Sequence, residues 1–213
     1  KMVLTFGMEF MAYALATDYN GLHLQIDAID GFFGGSATFS HEQNNGKNFV
    51  RLRIIHNSAH LVDGHYDLSK DKWIDGIKPI PFTRDFGELL FAKEIDWNVY
   101  RLRVYAGPTY STLVRPQVIK KWSGSFGFEF ANSKWLGKFW GHPVNTFIAL
   151  HSFMMGTPKY SLTTNYMLGV KFGEWNGKGV IFYISHYIGN NIFSEYYYNR
   201  ISKTGIGFFV DFN

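Results

Sequence analysis

Apolar residues recur at every second position along most of the chain. Leu4, Phe6, Met8 and Phe10 alternate with Thr5, Gly7 and Glu9, and Leu22, Leu24, Ile26 and Ala28 alternate with His23, Gln25 and Asp27. Val50, Leu52 and Ile54 flank Arg51 and Arg53, and Leu102 and Val104 flank Arg103. The same period continues through Phe126, Phe128 and Phe130, through Val180, Phe182 and Ile184, and through Ile206, Phe208, Val210 and Phe212. A period of two puts successive side chains on opposite faces of a strand, whereas an amphipathic helix needs apolar positions three and four apart. No stretch meets the helical pattern. Short turn signals at Asn44-Asn45-Gly46, Asp96-Trp97-Asn98 and Asn176-Gly177-Lys178 separate the runs, and longer connections fall near 62–84, 112–120, 133–144 and 191–202. The pattern predicts an all-β chain of about ten long strands, or twelve if the second run divides at Asp30-Gly31 and one further strand is present. The spans are 2–16, 22–42, 48–61, 85–96, 98–111, 121–132, 145–156, 160–174, 178–190 and 203–213.

Composition bears on which face is inside. Forty of the 213 residues are aromatic (21 Phe, 13 Tyr, 6 Trp), charged residues make up 18%, and there is no cysteine. So aromatic a chain is not disordered, and the missing cysteine excludes a disulfide scaffold and thiolate zinc sites. The residues between the apolar positions are mostly Gly, Ser, Thr, Asn, Gln, Arg, Asp and Glu, with lysine gathered near the connections. Small residues with arginines and carboxylates suit an enclosed polar interior, so the apolar face is expected outside. This predicts a single domain over 1–213, a closed antiparallel transmembrane β-barrel with aromatic girdles at the strand ends. Parity places the short turns on the periplasmic side, and the expected location is the bacterial outer membrane. A lipocalin-like soluble binder of small ligands is the reading if the faces are reversed. The net charge of +4 comes without a basic block, so nucleic acid is not expected; outer-membrane lipids, lipopolysaccharide or envelope proteins are. The start, Lys1-Met2-Val3, lacks the pattern of a signal peptide, which is either absent or already removed.

Two constellations carry candidate chemistry. Arg51, Arg53, Arg101 and Arg103 share the polar face with Glu9, Asp27, Glu129 and Asp211. Enclosed arginines need carboxylate partners, so an ion-pair network plugging the interior is expected, with an anion pathway as the other reading. The second constellation is Arg51-Leu52-Arg53-Ile54-Ile55-His56-Asn57-Ser58-Ala59-His60. Here His56, Ser58 and His60 continue the apolar stripe, about 7 Å between successive members. A serine nucleophile needs a nearby base and an oriented imidazole, with Asp63, Glu88 and His60 as candidates for the orienting group. A polar cluster hydrogen-bonded to neighbouring strands is the alternative. Metal binding by His56, His60 and His65 is a third reading, although His56 and His60 lie roughly 13 Å apart on a strand. Asp63, His65 and Asp67 offer a weaker divalent-cation site.

The His-x-Ser strand resembles that of two outer-membrane lipid hydrolases, outer-membrane phospholipase A and lipid A deacylase. That resemblance implies a lipid esterase with Ser58 as nucleophile and His56 as base, with calcium as the cofactor to expect and no other. The asparagine those families carry after the serine is Ala59 here. More broadly, RLRIIHNSAHLVDGHYD, RLRVYAGPTY and EYYYNRISKTGIGFFVDF resemble an uncharacterised bacterial outer-membrane family of unknown function. That resemblance implies a barrel and does not extend to an activity; a structural or docking role in the envelope is the expectation.

Overall fold

The computed structural model describes residues 1–19, 21, 23–60, 66–67, 69–73, 76 and 78–212. The strands in chain order are β1 (Met2–Tyr19), β2 (His23–Gln43), β3 (Gly46–His60), β4 (Tyr66–Asp67), β5 (Lys72–Trp73), β6 (Phe82–Trp97) and β7 (Tyr100–Arg115). They continue with β8 (Trp122–Asn132), β9 (Lys138–Phe139), β10 (His142–Gly156), β11 (Tyr160–Gly173), β12 (Gly179–Asn190) and β13 (Arg200–Asp211). The sheet runs β1-β2-β3-β6-β7-β8-β10-β11-β12-β13, with β9 paired to β10, while β4 and β5 form a separate two-stranded ribbon. Every long strand pairs antiparallel with the next, as tight turns require. Asn98 adopts φ 55° in the β6–β7 turn, a left-handed value that asparagine tolerates.

Alternation sorts the two faces. On the convex face Leu4, Phe6, Met8, Phe10, Ile54, Leu168, Phe182, Ile206 and Phe208 are all exposed, Met8 at 98%. The concave face carries small polar and charged groups, among them buried Ser125, Thr109, Glu88 and Lys171. Two small clusters of buried apolar residues form among the described residues. One joins Ala59, Phe82, Ile119 and Tyr197. The other joins Ala131, Phe147 and Ile181 with Trp175 against them.

The sheet does not close. It curls through 251° and stops with its edge strands 14 Å apart and not hydrogen-bonded to one another. The closed transmembrane barrel expected from the alternation is therefore corrected to an open half-barrel. The physical reason is countable: alternation specifies which face curls inward, but only pairing between β1 and β13 makes a barrel. Unpaired N–H and C=O groups along two edges cannot be satisfied in hydrocarbon. The outer-membrane location inferred from a closed barrel, and the role as an integral structural component, fall with the closure. No described helix is long and apolar enough to cross a membrane, which by itself says nothing about strands.

Candidate functional site: the arginine-lined concave cleft

Neighbouring strands bring inward positions of the polar face together at mid-height. Arg53 on β3 donates through Nε (2.9 Å) and Nη2 (2.5 Å) to Glu9 Oε2 on β1. Arg51 Nη2 donates to Glu88 Oε1 on β6 at 3.1 Å, and Arg53 Nη1 lies 3.5 Å from the same oxygen. Arg103 on β7 pairs with Glu129 on β8. Arg101 turns away from this group, pairing with Asp96 beside the β6–β7 turn and standing 3.9 Å from Glu94. Asp27 is fully buried nearer the opposite end, where Thr17 Oγ1 donates to it at 2.9 Å. Lys171 gathers Asp211 at 2.5 Å together with the Trp175 and Gly177 carbonyls.

These pairs do not fill the interior. A cavity of about 420 Å3 lies between Arg51, Arg53, Glu88, Arg103, Tyr105 and His151, with Phe49, Leu90, Ala92 and Phe153 forming its apolar wall. A second cavity of about 400 Å3 adjoins it through Arg103. The plugged interior is thus corrected to a half-barrel holding cavities beside its ion pairs, and the enclosed lipocalin-like cup is corrected with it. Charge distinguishes the two spaces. The second is lined by Arg101, Arg103 and Lys171 against Glu94, Glu129 and Asp211, a balanced set. The first is lined by three arginines and one carboxylate.

The groups of the first cavity are perturbed in a consistent sense. Burial pushes the Glu9 carboxyl up, but its hydrogen bonds to Arg53 and Ser36, with the charges of Arg53 and Arg51, outweigh this and hold it below the usual value. Burial lowers the His151 pKa below the ordinary histidine value against the pull of Glu88, favouring the neutral imidazole. Its Nδ1 lies 2.9 Å from the Tyr105 hydroxyl, whose own pKa burial and then Glu129 raise. Gly127 makes room for this pair: a Cβ there would run into the Tyr105 hydroxyl and the Leu150 carbonyl. Arg51 Nε and Arg103 Nε are buried and have no hydrogen-bond partner among the described residues. They are donors that a bound acceptor would satisfy.

The His-x-Ser segment lies on the convex side. His56 Nδ1 meets Asp85 Oδ1 on β6 at 2.5 Å, and the Phe33 ring packs 4.8 Å from the imidazole. The group orienting His56 is therefore Asp85, which the sequence reading did not consider. Of the three groups it did, Glu88 faces the concave cleft, while Asp63 and the side chain of His60 lie outside the described residues. The contact His56 makes runs across the sheet to β6, and strand geometry keeps its own-strand neighbour Ser58 about 7 Å along. The segment forms no clear catalytic dyad, and the lipid-esterase reading is corrected accordingly. His65 also lies outside the described residues, and Asp67 spends its oxygens on Ser69 and Lys70 of its own turn. Among the described residues no group of three or more His, Asp or Glu is placed to hold a metal ion.

Sequence reasoning also missed a buried polar cluster at the end covered by the β12–β13 connection. Ser194 donates to Asp30 Oδ2 through its backbone N–H (2.9 Å) and its hydroxyl (2.5 Å), and the Ile80 N–H donates to the Glu195 carbonyl at 2.9 Å. Arg84 is buried beneath Phe86 and Phe153, its guanidinium 4.2 Å and 5.7 Å from the ring centres. Burial drives its pKa down to about 10, against the pull of Glu88. For Arg84 the available signal was its inward place in the β6 alternation. For Glu195, in a connection without period, there was none.

The chain belongs to the family described as "Protein of unknown function (DUF1207)", which it matches over residues 9–212. That description carries no outer-membrane or hydrolase assignment, so membership in it replaces the resemblances to an outer-membrane family and to the lipid hydrolases. No curated protein and no solved structure matches the chain significantly.

Proposed function

For this DUF1207 member we propose that the concave cleft is a binding site for a small amphiphilic anion, a carboxylate or phosphate ester with a compact apolar body. The observation that carries the reading is a cavity of about 420 Å3 onto which three guanidiniums and one carboxylate open, the partners Glu9 and Glu129 standing outside its lining; its volume is inside the range of about 300–1,000 Å3 usual for small-molecule sites. Arg51 is the anchor. It is 37% exposed where its partner Glu88 is 11% exposed, so its free edge faces the cavity rather than the ion pair. Arg103 presents a second donor to the same cavity, and Arg53 beside them is tied to Glu9 and Glu88. Phe49, Leu90, Ala92 and Phe153 receive the apolar body. Neither a nucleophile nor a metal enters this reading, which is one of binding alone.

The test is calorimetric titration with two probes of the same shape, 2-naphthoate and 2-naphthamide. Hydrogen bonds to a charged group contribute about 1.5–3 kcal/mol, so the carboxylate should bind roughly 10–100 times more tightly than the amide. Arg51→Met should remove most of that preference while the protein remains folded. Equal affinity for the two probes, or a preference that survives Arg51→Met and Arg103→Met together, would overturn the proposal.

A further inference from the structure

Arg84 on β6 carries a buried charge that no described carboxylate pairs with. It is 7% exposed, and its Nε has no hydrogen-bond partner among the described residues. Nη1 donates to the Met155 thioether sulfur at 3.5 Å, a weak acceptor, and the Phe86 and Phe153 rings cover the guanidinium. Glu88, whose charge Arg84 feels, is held instead by Arg51 at 3.1 Å and Arg53 at 3.5 Å. With its pKa at about 10, Arg84 stays charged at neutral pH. A buried charge is strongly unfavourable unless something balances it.

Three unpartnered hydroxyls lie under the same guanidinium. Pairing across the sheet sets Glu88 of β6 opposite Thr109 of β7, Thr109 opposite Ser123 of β8, and Ser123 opposite Met155 of β10. Residues directly opposite one another share a face, with Cβ atoms about 4.5–5.5 Å apart. Arg84 reaches across this row to touch Met155 at its far end. The Thr109 and Ser123 hydroxyls inside the row are buried and have no partner among the described residues. Ser111, opposite Phe86, is the third. The register slips beside it, pairing Asp85 with Leu113 and Phe86 with Ser111, so Thr112 is a bulge residue and both Ser111 and Val114 turn inward.

We propose that Arg84, Thr109, Ser111 and Ser123 form a binding site for one buried chloride ion. The three hydroxyls donate to it and the guanidinium balances its charge. Water would satisfy the hydroxyls and leave the arginine charge uncompensated. With one cation facing the site, a monovalent anion is balanced and a doubly charged one is not. The ion ties β6, β7 and β8 together behind Phe153, which also walls the arginine-lined cleft.

The test is thermal unfolding of the full chain as sodium gluconate is replaced by sodium chloride or bromide at constant ionic strength. The expected result is a saturating rise in Tm of roughly 3–6 °C, the shift from a ligand at about ten times its Kd in a chain of this size. Arg84→Met, an apolar replacement that buried charges commonly tolerate, should lose the response. The near-isosteric Thr109→Val/Ser123→Ala double variant, which keeps Arg84, should weaken halide binding at least tenfold. Arg51→Met, which removes the cleft anchor, should respond as wild type does. Crystals grown in bromide should show an anomalous peak between the Arg84 guanidinium and the Thr109 and Ser123 hydroxyls. No halide-specific rise, or one that survives Arg84→Met or the double variant, would overturn the proposal. Loss of the response in Arg51→Met would do so too, by assigning the halide to the cleft. A bromide peak without the solution response would mark an adventitious ion only and equally overturn it.

Discussion

Glu195 offers the sharpest quantitative prediction. It is fully buried, neither carboxylate oxygen has a hydrogen-bond partner among the described residues, and Asp30 beside it is buried as well. Burial, and then the negative charge of Asp30, push its pKa from 4.5 up to about 7. A carboxyl with a raised folded-state pKa stabilises the fold fully only below its unfolded value. Between about 4.5 and about 7 the unfolded chain releases the proton that the folded chain retains, so stability falls through that window and is flat above it. At about 1.36 kcal/mol per pH unit the loss amounts to about 3 kcal/mol. Glu195→Gln keeps the shape and removes the titration. The variant should match wild type at pH 4 and exceed it by about 3 kcal/mol at pH 8 in urea unfolding, or about 6–12 °C in Tm for a chain of this size. If the two proteins are equally stable at pH 8, or differ as much at pH 4 as at pH 8, the buried carboxyl is not the source and the reasoning fails.

Three further outcomes follow from the cleft. Arg53→Met leaves Glu9 and Glu88 without their shared partner and should cost roughly 2–3 kcal/mol in urea unfolding, with the Glu9→Gln double variant recovering part of it. Gly127→Ala drives a methyl into the Tyr105 hydroxyl and the Leu150 carbonyl; it should lower Tm and abolish the Tyr105–His151 contact, read from the His151 imidazole NMR shifts. Protonation of His151 adds a positive charge to the cleft and, with its pKa depressed by burial, is displaced to pH below the ordinary histidine value. Binding of 2-naphthoate should therefore tighten as pH falls below that value in wild type and not in His151→Gln.

The strands were legible because a period of two is a local signal: each expected span ends within four residues of an observed end. The inward direction of Arg51, Arg53 and Arg103 was legible for the same reason. Closure was not, because whether β1 meets β13 depends on strand number and curl, which no local pattern encodes. The cleft's partner assignments were half legible. Carboxylates for the arginines were expected, but the pairing of Arg101 with Asp96 follows from its place beside a turn. Asp85 as the partner of His56 depended on the β3–β6 register, which a long intervening connection leaves unspecified. Glu195 and Asp30, 165 residues apart by number, meet only through tertiary packing.

The most direct test of the binding cleft is a crystal structure of the protein with 2-naphthoate. The account predicts the carboxylate within hydrogen-bond distance of Arg51 and Arg103, and the ring system against Phe49, Leu90 and Phe153. A naphthoate bound on the convex face, with the cleft holding none, would contradict it.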